Sequence, residues 1–275
     1  MSPALAKYFE SKSTGAIVPR LAISVEAMDK CGKTHWALHT APDPICIISN
    51  DPGTEAIVHK ARAAGKVIYH RHMEVPTPPP ESKARTTINQ TSWDEWKKSW
   101  EMVKEIEAAV IADTSIRTYV TDTETEKWHL AELAYFGKLQ GNQNQDVRTK
   151  LNADYCQTFW RMYNTRRDLN MILIHKQGKE YKKGADGKAD WSGGYEIKGY
   201  SGIGFMVDAS LRLGWNPTLK SFYVEVPSHK TIRYGDPFTL SGKQWWSNNG
   251  DYGFGYVAME MWPETEERPE VWGLI

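Results

Sequence analysis

The residues best suited to chemistry lie in one segment, Glu26-Ala-Met-Asp-Lys-Cys-Gly-Lys-Thr34. It closes on Gly32-Lys33-Thr34, the ending of a Walker A phosphate loop, with Ala27 where the first glycine of that motif stands. The residue types suit that chemistry. Backbone N–H groups and a helix N-terminus cradle phosphate oxygens, the Lys33 ammonium neutralises β and γ groups, and the Thr34 hydroxyl is a hard oxygen ligand for Mg²⁺. Ala27, Met28, Asp29, Lys30, Cys31, Gly32, Lys33, Thr34 and His35 are therefore the candidate nucleotide-binding residues, with Cys31 read as a small passive member. ATP with Mg²⁺ is the expected ligand pair.

A site of this kind needs a carboxylate at the end of another strand to hold the metal. Asp122, directly after Tyr119-Val-Thr121, fits this Walker B role, so Thr34 and Asp122 are the candidate metal ligands. Glu124 and Glu126 follow; either contacts the metal or orients water, or both form an exposed acidic helix start. Asp51 ends the strand after the loop's helix, a strand that lies beside the first one in many such sheets. It is the candidate catalytic base, with a plain Asp-Pro-Gly turn as the alternative. His175 and Gln177 end the run Met171–Ile174, where a polar side chain can sense a terminal phosphate; a hydrogen-bonded loop histidine is the other reading.

The elements that must carry these groups are legible as apolar runs. Leu21–Val25, Ile45–Ile48, Val67–Tyr69, Arg117–Asp122 and Met171–Ile174 read as strands, and Thr54–Gly65 and Tyr155–Arg166 as helices. Residues 74–91 are proline-rich and read as a loop. Ser92-Trp-Asp-Glu95 has capping-box spacing, and Trp93, Trp96, Trp100, Val103 and Val110 follow on one helical face, which assigns them to the core. Strands alternating with helices predict a parallel sheet with crossover helices. From Leu211 the alternation Leu211/Leu213, Phe222/Val224/Val226 and Phe238/Leu240 predicts antiparallel strands. The expected organisation is an N-terminal segment 1–20, a core 21–240 and a C-terminal extension 241–275 with an acidic tail.

Composition narrows the class. The chain has 275 residues, 40% apolar and 12% aromatic, enough to bury a core and to exclude wholesale disorder. Its apolar runs fall far short of the roughly 20 residues that cross a bilayer, so no membrane partner is expected. The N-terminal twenty residues lack the apolar centre of a secretory signal, which predicts a cytoplasmic protein. Three cysteines without metal-ligand spacing suit a reducing compartment and argue against zinc. Lys+Arg and Asp+Glu balance at 34 each, yet residues 148–183 carry a net +6 while 92–132 and 241–275 carry −5 and −4. A neutral total thus conceals a basic belt able to hold a polyanion.

The order of phosphate loop at 27–34, acidic strand end at Asp51, Walker B at Asp122, polar strand end at His175-Lys-Gln177 and late antiparallel strands resembles the RecA-like ATPases. Within them it is most similar to the phage-encoded single-strand annealing and recombination ATPases, relatives of RecA, RadA and KaiC, over residues 20–240. The resemblance implies an α/β P-loop fold with helices on both faces of a mainly parallel sheet and an antiparallel C-terminal extension. It also implies an ATP-hydrolysing homo-oligomer, ring or filament, acting on single-stranded DNA, with a phage or host single-strand-binding protein as a further partner and a host cytoplasmic setting. Ser228–Gly235 resembles the family's late basic strand, which nominates Lys230 and Arg233 as fingers reaching a neighbouring subunit; solvated edge charges are the alternative. The family's two DNA loops correspond to Gly137–Arg148 and Gly178–Gly204, the latter carrying Tyr181, Trp191, Tyr195 and Tyr200. Two other functions share the loop: a nucleoside or nucleotide kinase, and an assembly protein that nucleotide only organises.

Overall fold

The computed structural model describes residues 20–73, 90–137, 145–183, 189–226, 244–247, 253–262 and 272. Its first half alternates strand and helix: β1 (Ala22–Ala27), α1 (Lys33–Thr40), β2 (Ile45–Ser49), α2 (Gly53–Ala63), β3 (Ile68–His72), α3 (Gln90–Ala112), β4 (Thr118–Asp122) and α4 (Glu124–Phe136). Then come α5 (Gln145–Thr165), β5 (Asn170–Lys183), β6 (Ala189–Ile197), β7 (Ala209–Asn216), β8 (Ser221–Glu225), β9 (Gln244–Ser247) and α6 (Phe254–Met261). The strands form a sheet in the order β3-β2-β4-β5-β1-β7-β8-β9, and β6 pairs with β5. Neighbours from β3 to β7 run parallel, whereas β8, β9 and the β5–β6 pair are antiparallel. This is an α/β fold with a mainly parallel sheet.

Period-two alternation sends successive strand side chains to opposite faces. Ile23, Val25, Ile47, Val120, Ile172 and Leu211 pack in one cluster with α1, α2 and α6. Ala22, Ile48, Tyr119, Met171 and Leu173 pack in the other with α3, α4 and α5. Helices therefore cover both faces. Trp96, Trp100, Val103 and Val110 are buried and Trp93 is half-buried, as the helical stripe predicts. α6 joins the core through Phe254, whose ring lies 6.2 Å from that of Trp36 on α1.

Several local expectations change. β7, which carries Leu211 and Leu213, runs parallel to β1, so the antiparallel part starts one strand later. β2 does not adjoin β1, because β4 and β5 stand between them. Much of the segment 178–204 is strand rather than loop, since β5 continues past the sheet and turns back as β6. α3 begins at Gln90, inside the expected proline-rich loop, and α5 begins at Gln145, well before Tyr155. Phe238, Leu240, Lys230, Arg233, residues 138–144 and the acidic stretch 263–270 lie outside the described residues. Among the described residues, no helix is long and apolar enough to cross a membrane.

One polar group ties the helical layer to the sheet. Arg166, 4% exposed, donates to the carbonyls of Val110 (2.8 Å) and Asp113 (2.6 Å) at the end of α3 and of Ile116 (2.8 Å) in the turn that follows, and forks onto Asp168 at 2.9 and 3.0 Å. Carbonyls at a helix end lack intrahelical partners, so a buried guanidinium satisfies several at once. Arg166→Ala is expected to cost about 3 kcal/mol or more, by stranding these acceptors and the Asp168 charge. Urea unfolding checks this; an unchanged midpoint would show that water replaces the guanidinium without loss.

Candidate functional site

The loop that carries Gly32-Lys33-Thr34 turns from β1 into α1 through two left-handed residues, Lys30 (φ 63°) and Gly32 (φ 80°). Glycine adopts that region without strain, which is why it immediately precedes the helix. No side chain caps α1 at Gly32, so the first N–H groups of the helix are left for a ligand. Lys33 folds back over its own loop, its Nζ donating to the carbonyls of Ala27 (3.1 Å) and Met28 (3.0 Å). Burial pushes the Lys33 ammonium below its usual pKa, against the pull of Asp29, Asp122, Cys31 and Asp51.

Asp122 closes β4 on the same face as Val120, the face that α1 covers, and is 1% exposed. Its Oδ2 accepts from the hydroxyls of Thr34 (2.8 Å) and Thr54 (2.7 Å). Burial raises its pKa, and Asp51 adds to the rise; the two threonine hydrogen bonds and Lys33 act the other way. A hydroxyl and a carboxylate side by side form a hard oxygen donor set of the kind Mg²⁺ takes. Over these groups opens a cleft of about 620 Å³, lined in part by Asp29, Lys30, Asn50, Asp51 and Lys176. It lies beyond the carboxyl ends of the strands, where ligands of open α/β sheets bind.

Asp51 reaches the cleft beside Asp122 rather than beside β1, since β2 pairs with β4 through Ser49 and Asp122. Its Oδ1 accepts from Gly53 N at 2.8 Å, so the Asp-Pro-Gly turn and the exposed cleft carboxylate are one residue in both roles. Asn50 locks the two strand ends together: its N–H donates to the Asp122 carbonyl (2.9 Å) and its Oδ1 accepts from Thr123 N (3.2 Å). Met28 and His35 are exposed at the edges of the loop, and His35 stacks on His39 at 4.0 Å.

Glu124 does not line the cleft. It is 2% exposed and holds the Tyr155 hydroxyl and Lys127 (3.3 Å), while Lys127 also pairs with Glu107 at 2.6 Å. The expected exposed acidic helix start is thus a buried ion network, because α4 is covered by α3 and α5. Glu126 lies 3.4 Å from His129 and pairs with Lys176, and these contacts, the histidine hydrogen bond foremost, hold its pKa down at about 2 against the effect of burial. On β5 the alternation decides again. Ile172, Ile174 and Lys176 face α1, whereas His175 and Gln177 take the parity of Met171 and Leu173 and point to the other side. Lys176 lines the cleft in their place.

The residues after Asp122 also hold the β5–β6 hairpin at its base. Thr125 Oγ1 accepts from Lys176 N (3.1 Å) and donates to the Lys198 carbonyl (2.8 Å), touching both strands. Gly199 (φ 113°) backs onto Thr125, where a Cβ would stand 3.2 Å from the threonine Cα. Asn50, Thr54, Thr125 and Lys176 escape the sequence reading. Thr54 alone had a local signal, as the hydroxyl residue opening α2 after Asp-Pro-Gly.

No protein-family model matches the chain, and no curated protein matches it. Among solved structures it is similar to an ATPase from the type III secretion system of pathogenic bacteria, with 12% identity and a TM-score of 0.41 over 72% of this chain. The match covers 53% of that protein, about half its length. In this chain Gly32-Lys33-Thr34 lies between β1 and α1 and faces an acidic strand end at Asp122.

Proposed function

We propose that the protein is a Mg²⁺-dependent, RecA-like ATPase that acts on single-stranded DNA as a homo-oligomer. The contact between Thr34 and Asp122 beneath Lys33 carries the nucleotide half of this reading, because a helix N-terminus, a cation and two oxygen donors converge on one cleft. Thr34 Oγ1 and Asp122 would hold Mg²⁺, which supplies charge neutralisation across the β and γ phosphates. Lys33 and the first N–H groups of α1 orient the triphosphate. Asp51, with Oδ1 fixed by Gly53, offers its second oxygen to the attacking water as base. Lys176 adds a cation at the terminal-phosphate end, the task the sequence suggests for His175 and Gln177. Glu124 acts through Lys127 on the packing of α4 rather than on substrate. Lys230 and Arg233 stay nominated as fingers acting on a neighbouring subunit.

The DNA half is supported by the β5–β6 hairpin. Tyr181, Trp191 and Tyr195 are exposed along it, Tyr181 opposite Trp191 and Lys179 opposite Tyr195. The Lys179 ammonium lies 5.0 Å from the Trp191 ring, so cations and stacking surfaces alternate as single-strand binding requires. Phosphate release measured with and without single-stranded DNA tests the whole reading. Stimulation is expected, and Trp191→Ala should weaken DNA binding about tenfold while leaving DNA-free turnover unchanged. Turnover indifferent to DNA would overturn the DNA half and keep the ATPase.

A further inference from the structure

We infer that Trp215 and Phe222 form the platform on which the base of the bound nucleotide stacks, an inference that rests on the nucleotide reading of the Walker loop. β7 lies beside β1 in parallel register, with Arg212 opposite Glu26. β1 ends at Ala27 while β7 runs on to Asn216, so Trp215 extends past the end of β1, on the loop side of the sheet. Alternation fixes its side. Leu211 and Leu213 are buried in the cluster that contains Trp36 and Ala37 of α1, and Trp215 continues their row. Phe222 is its cross-strand partner on β8 and heads the row of Val224 and Val226, which are buried in the same cluster. Both apolar rows thus rise out of the core into aromatic rings just above the start of α1.

Those two rings are not consumed by the core. Trp215 is 45% and Phe222 36% exposed, against 4% or less for Leu213 and Val224 below them. Their centroids lie 4.7 Å apart at 58°, which leaves a face open beside the loop. The phenyl edge reaches the loop itself, since a Cβ on Gly32 would stand 3.8 Å from Phe222 Cε1.

Strand order supplies the direction. Asp122 on β4 and Lys176 on β5 lie on one side of β1, and β7 and β8 lie on the other. A triphosphate laid along the loop with its terminal group toward Asp122 and Lys176 directs its ribose and base toward β7 and β8. A flat heteroaromatic ring is the ligand chemistry that an exposed indole and phenyl pair recognises there. Inorganic tripolyphosphate presents the same phosphates without the ring, so the two ligands separate the platform from the loop.

Calorimetric titration of Mg²⁺-ATP and Mg²⁺-tripolyphosphate into the wild-type chain, Trp215→Ala and Phe222→Ala tests the assignment. Each substitution is expected to weaken ATP about tenfold and leave tripolyphosphate affinity unchanged. ATP, but not tripolyphosphate, should also change the tryptophan fluorescence, and Trp215→Phe should remove that change. ATP affinity unaltered in both alanine variants would overturn the platform and leave the phosphate site standing. Equal losses for both ligands would overturn it too, by assigning the rings to support of the loop. A wild-type chain that binds neither ligand would instead sink the nucleotide reading, and the platform with it.

Discussion

Lys33→Ala is expected to lower ATP turnover by about 10²-fold to 10³-fold, the range for removing one preorganised group that meets developing charge. Lys33 is held in place by the carbonyls of Ala27 and Met28. That arrangement removes the reorganisation a mobile surface lysine would need, and burial makes its field stronger than it would be in water. Burial lowers the pKa of this ammonium, and Asp29, Asp122, Cys31 and Asp51 oppose that effect. Alanine deletes the cation and leaves two loop carbonyls without their donor. Phosphate release at saturating Mg²⁺-ATP measures the effect, with circular dichroism as the control for folding. Undiminished turnover in a folded variant would remove Lys33, and the Walker assignment, from the mechanism.

Asp122→Asn is expected to separate activity from stability. Turnover should fall by about 10²-fold or more, because a neutral amide holds a divalent ion poorly. Stability should rise. The folded-state pKa of Asp122 lies above the usual 3.8, chiefly through burial, so the folded chain takes up this proton more readily than the unfolded chain. The contribution of Asp122 to stability is then greatest at low pH and is lost as the pH climbs from 3.8 through the raised folded value. At neutral pH the buried charge opposes folding, and asparagine removes the charge while its oxygen still accepts from Thr34 and Thr54. Scanning calorimetry at neutral pH without Mg²⁺ should show a midpoint higher by about 2 °C or more, the shift that roughly 1 kcal/mol makes in a chain of this size. A lower midpoint would mean that the two threonine hydrogen bonds outweigh the desolvated charge. Added Mg²⁺ should raise the wild-type midpoint and leave that of the variant unchanged.

What the sequence made legible follows from where its signals are local. Gly32-Lys33-Thr34 after an apolar strand specifies a turn and a helix start within a few residues, and Trp96, Trp100 and Val103 specify a buried helical face by spacing alone. The position of Asp122 at a strand end was readable because an apolar run precedes it directly. Glu124 misled for the same local reason. Two residues past a strand, an acidic side chain at a helix start looks solvated, and only the packing of α3 and α5 over α4 turns it inward onto Lys127 and Tyr155. Gln177 misled because β5 is apolar at both parities. Nothing in Met171-Ile-Leu-Ile174 says which face α1 will cover, so Lys176 and its two neighbours could not be told apart.

The sequence by itself determined local patterns: a Gly-Lys-Thr turn at a helix start, an acidic strand end, a tryptophan face and the alternation of strand and helix. Each of these is written in spacings shorter than one element. The tertiary structure alone decided which groups meet. Strand order set β4 and β5 between β2 and β1, which brought Asp51 next to Asp122 and Lys176 into the cleft. It also set β7 and β8 on the far side of the loop, raising Phe222 beside Gly32 with Trp215 as its cross-strand partner. Those neighbours are as much as 190 residues apart in the chain, as Gly32 and Phe222 are, and such contacts depend on sheet order and on the face each helix covers. No short pattern encodes either one, because both are fixed only when the two apolar faces of the sheet are buried together.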